Sequence, residues 1–370
     1  MPPGGGMPPG GGMPPGGGYP PPGGGYGAPP GYGPPGGPPP KKGGKGLLIG
    51  GIIAGLLLVG GIVVALVFVL GGGSKISSKA HEHLPDSCDA VVRVDLKGLL
   101  ETESVKEHVV PVLDKKAKDS EDAGKMAKFL ITARLDPRTD LTEAVVCVTN
   151  VTAGIATGQP DFVAIIGGDL VDGAILDAID KHSDKDKFKK SADKDGLRVI
   201  EHKEESVYVT QADDAALIVA SKMDLLKDAT KTGDHYKKKY SIPLKEQMVA
   251  VVSKSTVGAL SGLAAAAGPL DFSGIGRIVV TASLDPGQLG GKLQMGSKDE
   301  ARKLRDGLHG LLQDAKKDGL PDPDANALLD DAKVSSKGDE VLLKVPLPKK
   351  LVDEAVKGFA KGLDEADDEI

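Results

Sequence analysis

An uninterrupted apolar stretch, Leu47 to Leu70, constrains this chain more than any other feature. Its 24 residues include no charge and no strong hydrogen-bonding side chain. As a helix it would be about 36 Å long, enough to cross the roughly 30 Å hydrocarbon core of a bilayer. We therefore predict a single transmembrane helix at 47–70, which makes the lipid bilayer the first partner of the protein.

The residues before this stretch have the composition of a disordered tail. Residues 1–40 contain 16 prolines and 17 glycines and begin with three copies of MPPGGG. Glycine raises the entropy cost of ordering, proline removes amide donors, and no apolar surface here offsets either. We predict disorder over 1–46. The tail is then either a solvated extension or a recruitment segment built on Tyr19, Tyr26 and Tyr32.

The basic residues around the stretch predict its orientation. Three lysines precede it at 41, 42 and 45, and two follow it, Lys75 and Lys79. Lysines that flank a span tend to stay cytoplasmic, so we expect the tail inside and the body outside, in the periplasm. A cleaved signal peptide is the alternative, but the apolar run is too long for a signal core, which favours an uncleaved single-pass anchor.

Small residues recur along one side of the predicted span. Gly46, Gly50 and Ala54 form one row and Gly51 and Gly55 another, the spacing that lets two membrane helices approach closely. This pattern predicts a homodimer through the span. The alternative is that these glycines face lipid, since glycine is common in membrane helices.

The charge of the remaining chain argues against nucleic acid as a partner. The formal total of −6 includes three lysines before the span and no acids there, so the rest of the chain carries −9. It has no Trp, three Tyr and five Phe, which leaves few aromatic faces for bases or sugars. We expect no nucleic acid and no cofactor.

The body has the pattern of an α+β fold, with mainly antiparallel sheets and packed helices. Apolar strand patterns such as AVVCVT and FVAIIG alternate with helical stripes, and LRVIE, SVYVT and AALIVAS predict an antiparallel meander. The order of elements then repeats, which favours two similar halves. We divide the chain into a flexible tether (71–85), a first module (86–235), a second module (240–363) and an acidic end (364–370).

Cys88 and Cys147 are the only cysteines. Outside the cytoplasm an even cysteine count favours a disulfide, and each lies in or beside a predicted strand near the start of the body. We expect this bridge. The alternative is two buried thiols that act as small apolar side chains.

No motif in the chain predicts catalysis or a metal site. His81, Glu82, His83, Asp86 and Cys88 resemble a ligand set by type alone, but alternating residues on a tether point apart and no second ligand pair follows. A nucleophile elbow, a phosphate-binding loop and a zinc-protease motif are all missing. We expect no metal and no enzymatic activity.

The Pro/Gly/Tyr tail, KKGGK, the single span and the phrases LPDSCDAVVRVDL and DFVAIIGGDL resemble membrane-anchored envelope proteins of Gram-negative bacteria. The resemblance implies a compartment and carries no catalytic residues. Our leading hypothesis is an extracytoplasmic binding or scaffolding protein with an envelope protein as partner and a recruitment tail inside. The alternatives are an envelope hydrolase or transport accessory with dispersed site residues, and a sensor that signals through the tail.

Overall fold

The structure, a computed structural model, describes most of the chain after the predicted span. The described residues are 79–119, 123–151, 160–183, 185–192, 197–203, 207–212, 214–258, 274–319 and 323–365. The predicted tail, the span and its packing face, with Gly46, Gly50, Gly51, Ala54 and Gly55, lie outside them. Within the described part, no helix combines the length and the apolar character that crossing a bilayer requires.

The strands of the described residues form one antiparallel sheet. They are β1 (Ala90–Asp95), β2 (Leu141–Thr149), β3 (Asp161–Gly168), β4 (Phe188–Ala192), β5 (Arg198–His202), β6 (Val207–Ala212), β7 (Ala216–Ala220), β8 (Met248–Ser253), β9 (Ile275–Leu284), β10 (Gly287–Met295), β11 (Lys333–Lys337) and β12 (Glu340–Pro346). Their order across the sheet is β11-β12-β10-β9-β8-β1-β2-β3-β7-β6-β5-β4. The two predicted modules therefore meet at β1 and β8 and share one sheet.

The helices lie on both faces of this sheet. A 3₁₀ helix (Ala80–His83) comes first, followed by α1 (Leu96–Leu100), α2 (Glu103–His108), α3 (Val110–Asp119), α4 (Ala123–Ala133), α5 (Ala174–His182), α6 (Met223–Ala229), α7 (His235–Lys238), α8 (Lys298–Asp318), α9 (Pro323–Asp331) and α10 (Lys349–Glu365). The architecture is α+β, as predicted.

Side chains of successive strand residues point to opposite faces, which divides the core into two layers. We call face A the side of Val91, which lies opposite Cys147 on β2 and Val251 on β8. Face B is the side of Val92 and Val94. The central strands bury apolar side chains on both faces, which is why β1 reads AVVRVD with only one charge between its valines.

Different helices cover the two faces. On face A, the 3₁₀ helix, α6 and the chain around Tyr240 pack over the strands of the first module. On face B, α1, α4 and α5 pack over the same strands, and α8 packs over β10, β11 and β12. The last helix, α10, packs against α2 and α3.

The described end of the predicted flexible tether, residues 80–85, is part of the folded body. The prediction of a tether to residue 85 is wrong for 80–85, because these residues are buried in the body and Ala80–His83 is helical. Ala80 and Leu84 are apolar and fit the core on face A, where their burial stabilises the folded chain.

Most predicted strands agree with the structure to within a few residues, while short polar elements were missed. The sequence did not predict β11, whose pattern KVSSK is polar on its exposed side, or α9. Residues 254–258 are helical, and residues 259–273 after them lie outside the described part of the chain. The charged run at 183–195 contains β4, which forms a hairpin with β5.

Candidate functional site

The first buried residues of the described chain form a segment that is held at several points by distant parts of the body. We call residues 80–88 the leading segment. Its 3₁₀ helix packs against β2 and β3 on face A, and the amide of Gly233 donates a hydrogen bond of 2.7 Å to the Glu82 carbonyl. The chain therefore enters the folded body at Ala80 rather than several residues later.

A buried charged group lies under the leading segment. Glu143 of β2 is 2% exposed and accepts hydrogen bonds from the His81 amide (3.2 Å) and from the Nδ1 atom of His81 (3.0 Å). The Nε atom of Arg93, on β1, donates to the other oxygen of the same carboxylate. Arg93 also donates to the Glu246 carbonyl at 2.9 Å. The four residues connect the leading segment to β1, β2 and the chain before β8.

Opposing effects act on the protonation of Glu143. Burial would raise the pKa of its carboxyl, but the hydrogen bond from His81 and the positive charge of Arg93 together outweigh burial and hold the pKa below its usual value. The carboxylate therefore stays ionised at neutral pH. An ionised and fully paired carboxylate holds neighbouring elements in place, whereas a general acid needs a raised pKa.

His83 is fixed by a different contact. Its Nδ1 atom donates to the Ala229 carbonyl at the end of α6, at 2.9 Å, and its side chain is 1% exposed. Its Nε2 atom is buried and has no hydrogen-bond partner among the described residues. The ring of His81 makes an edge contact with Tyr236, with centroids 4.3 Å apart. The two histidines of the HEH sequence thus contact different elements.

The leading segment ends at a disulfide. The sulfur atoms of Cys88 and Cys147 are 2.12 Å apart and the Cα atoms 5.4 Å, so the bridge joins the segment to β2. Beside it, the Tyr240 hydroxyl accepts from the Cys88 amide at 3.0 Å and donates to the Pro85 carbonyl at 2.8 Å. Burial raises the pKa of Tyr240 to about 12, so the hydroxyl stays protonated and can donate.

Away from the leading segment, the described residues form a small cavity. A cavity between α5 and strands β4 and β5 measures 30 Å³, about the space of one water molecule. Among the described residues, no group of three or more His, Cys, Asp or Glu side chains is placed to hold a metal ion. Metabolite pockets are roughly ten times larger than this cavity.

The sequence identified part of this site. Cys88 and Cys147 were singled out and lie together in the structure. Arg93, Glu143 and Tyr240 were missed, although a charged residue inside an apolar strand pattern, as in AVVRV, is a usable signal for a buried ion pair. The pairing of Arg93 with Glu143 depends on β1 and β2 being neighbours, which a single sequence does not reveal.

Comparisons with known proteins identify no family. No protein-family model matches the chain, and no curated protein matches it. Among solved structures, crystal forms III and I of TP0453 align with TM-scores of 0.41 and 0.40, each at 10% identity. The alignments cover 77% of this chain and 99% and 100% of those chains. A likeness this weak supports no conclusion about function.

Proposed function

We propose that this protein is a single-pass membrane-anchored binding or scaffolding protein of the cell envelope. Its body lies outside the cytoplasmic membrane, and its Pro/Gly-rich tail lies inside and recruits a partner. The proposal joins the apolar stretch at 47–70 to the geometry of the leading segment. A protein that presents a rigid body to an envelope partner needs a firm connection between its anchor and its fold.

The observation that carries this proposal is the attachment of the leading segment. Only residues 71–79 separate the predicted span from the buried Ala80, a distance of about 30 Å at full extension. From Ala80 onward, the Glu143 group, the Ala229 carbonyl and the disulfide hold the chain. A pull on the predicted span would therefore act, through residues 80–88, on the central strands of the sheet.

The described charged groups support binding rather than catalysis. His81, Arg93 and Glu143 are buried in mutual pairings, so none is free to exchange a proton with a substrate. The cavity beside β4 is too small for a metabolite, which also supports binding rather than catalysis.

We further propose that the body consists of two related halves. The strand order β1-β2-β3-β7-β6 in the first half has the same connectivity as β8-β9-β10-β12-β11 in the second, with β4 and β5 as an additional hairpin. In each half a helix precedes the final strands, and another follows them. Superposing these five-strand sets in an experimental structure tests this part, and unrelated strand positions would count against it.

A topology experiment tests the anchor. Reporter fusions that are active only outside the cytoplasm are placed after residue 40 and after residue 75 of the full chain. We expect activity from the second fusion alone, and deletion of 47–70 should release the protein from membranes. Activity from the first fusion, or an unchanged membrane fraction after the deletion, would contradict the proposal.

The disulfide provides an independent test of compartment. In protein taken from its native host under non-reducing conditions, with free thiols blocked, mass spectrometry should find a linked peptide pair containing Cys88 and Cys147. Both thiols blocked and unlinked would place the body in a reducing compartment.

The predicted dimer face is tested by replacing Gly50 and Ala54 with Leu, which should weaken cross-linking of the full-length protein in membranes.

A further inference from the structure

Among the described residues, face A of the second module is apolar and buried at β8 and β9 and becomes polar on β10, β12 and β11. The pairing register continues this face outward from β8, through Val279 on β9, Lys292 on β10, Leu342 on β12 and Ser335 on β11. The packing of the described helices α8, α9 and α10 is directed to face B or to α2 and α3. No described helix therefore packs over face A of β10, β12 and β11.

This surface has a strong excess of positive charge. The charged side chains that its strands present are Arg277, Lys292, Lys333, Lys337, Lys344 and Glu340. Lys292 pairs with Glu340, and the side chain of Asp339, in the turn between β11 and β12, accepts from Gln294 of the same face. We call these five basic side chains and their strands the cationic face. The chain after the predicted span carries −9 in total, so this excess is local.

Two of these lysines are placed at an energetic cost. Lys333 and Lys344 are directly opposite each other on β11 and β12, and both are exposed. Like charges at directly opposite positions destabilise a sheet. Within the described residues, Lys333, Lys337 and Lys344 make no ion pair. An anionic partner would remove this repulsion.

Protection of the sheet edge explains only some of these charges. Lysines on an edge strand discourage pairing with other chains, and β11 is an edge strand with Lys333 and Lys337. Lys292 and Lys344, however, lie on β10 and β12, which have neighbours on both sides. Lys292 already pairs with Glu340, so it is the charge of Lys344 that favours a partner on the face of the sheet rather than at its edge.

The cationic face lies on the side of the sheet where the chain leaves toward the predicted span. The 3₁₀ helix packs on face A and contacts α7, whose end carries Lys237, Lys238 and Lys239. Arg277 donates to the Lys239 carbonyl and to the Ser241 hydroxyl, both at 3.2 Å, which connects α7 to β9. The positive excess is therefore confined to the strands of the cationic face, because Lys238 of α7 pairs with Asp234 and the leading segment exposes Asp86.

We propose that the cationic face rests on the anionic headgroups of the bilayer that the predicted span crosses. Lysine ammonium groups bind lipid phosphates by charge, and a flat sheet face matches a flat headgroup plane. A connection of about 30 Å allows this contact. The inference depends on the proposed membrane anchor and adds an orientation, with face A toward the bilayer and α8 away from it.

Fluorescence resonance energy transfer from a dye on the protein to dyes on lipid headgroups tests this orientation, with the full-length protein in lipid nanodiscs. Because both native cysteines are in the disulfide, a donor dye reacts only with an introduced cysteine. One variant, Ser335→Cys, labels the cationic face, and its matched control, Gln313→Cys, labels an exposed position on α8. Acceptor dyes are carried on lipid headgroups, in discs of phosphatidylcholine with or without phosphatidylglycerol.

We expect greater transfer from position 335 than from 313 in discs that contain phosphatidylglycerol. The difference should disappear in about 1 M salt, where the screening length falls to about 3 Å. The substitutions Lys333→Glu, Lys337→Glu and Lys344→Glu together should also abolish it. Lys303→Glu, at an exposed position of α8 on the opposite side of the sheet, should leave it unchanged. The salt series on the unsubstituted surface does not depend on how the triple variant folds.

Two results would overturn the inference in distinguishable ways. Equal energy transfer from positions 335 and 313 in anionic discs would contradict the contact between the cationic face and the headgroups. The same difference between the two positions in neutral discs would also contradict it. Neither result bears on the membrane anchor. If the full-length chain does not co-elute with the discs, the result contradicts the proposed membrane anchor and also this inference.

Discussion

At the scale of single residues, the Arg93, Glu143 and His81 group decides how the start of the body is held. Removing one partner of a buried ion pair leaves an uncompensated charge in the protein interior, which is far more costly than losing a surface pair. Glu143 is the shared acceptor of this group. Its substitution should therefore have the largest effect.

We predict that Glu143→Gln lowers the free energy of unfolding by about 3–5 kcal/mol, because Arg93 then remains buried without its counterion. Urea denaturation of the two proteins at neutral pH measures the difference. Glu103→Gln, which removes an exposed pair with Lys349, is the matched control and should leave stability unchanged. Similar stabilities of the two variants would contradict the assigned role of Glu143.

The same substitution should change the acid side of the stability curve. The pKa of Glu143 in the folded state lies below its ordinary value of 4.5, so its contribution is present above that value and is lost as pH falls through the folded pKa. Wild-type stability should thus fall more steeply in acid than that of Glu143→Gln. Parallel curves would indicate that Glu143 is not ionised and paired.

Tyr240 gives a second residue-scale prediction, on the alkaline side. Tyr240→Phe should destabilise the body by about 1–2 kcal/mol, because the Cys88 amide and the Pro85 carbonyl lose their shared partner. The pKa of Tyr240 is raised from 10.0 to about 12, so wild-type stability should decline as pH rises between these values. The variant should lack this part of the decline.

Denaturation of both proteins at pH values from neutral to 12 measures this decline. Tyr208→Phe, at a partly buried tyrosine of β6, is the control and should keep the wild-type slope. A wild-type slope in Tyr240→Phe would contradict the role given to its hydroxyl.

At the scale of elements, the leading segment behaves as part of the fold. We predict that a chain beginning at residue 79 is as stable as a longer one, whereas a chain beginning at residue 85 loses about 2–5 kcal/mol. The second truncation removes the buried Leu84 and Ala80 and the partner of Glu143. Thermal unfolding compares the two. Both chains keep Cys88 and therefore the disulfide, so a difference in melting temperature reports on residues 79–84. Equal melting temperatures would support a flexible tether that extends to residue 85.

The elements that sequence patterns predicted share a physical property. The strands β2 and β3 carry clear apolar patterns, and the predicted segments AVVCVT and FVAIIG lie within them. β11 was missed because only Val334 marks its buried side. The 3₁₀ helix was missed because two histidines and a glutamate resemble a solvated linker until their buried partners are known.

At the scale of the whole molecule, the central pair β1 and β8 makes the two modules interdependent. We predict that residues 79–239 and 240–365, expressed separately, do not form stable monomers. Separation exposes the β1 edge with Val91, Val92 and Val94, which favours aggregation. Size-exclusion chromatography of each half, of the two co-expressed and of residues 79–365 measures this. A monomeric, folded first half would contradict the prediction.

The sequence by itself determined the α+β class, the core strands and the two cysteines, because apolar periodicity and residue type are local properties. It also predicts the span and the tail, which lie outside the described residues. Only the tertiary structure decided that both modules share one sheet, that Ala80–Leu84 is buried and that Arg93 meets Glu143. The reason is physical: each of these depends on which distant segments become neighbours, and the free energy of that pairing comes from shared burial that neither segment shows alone.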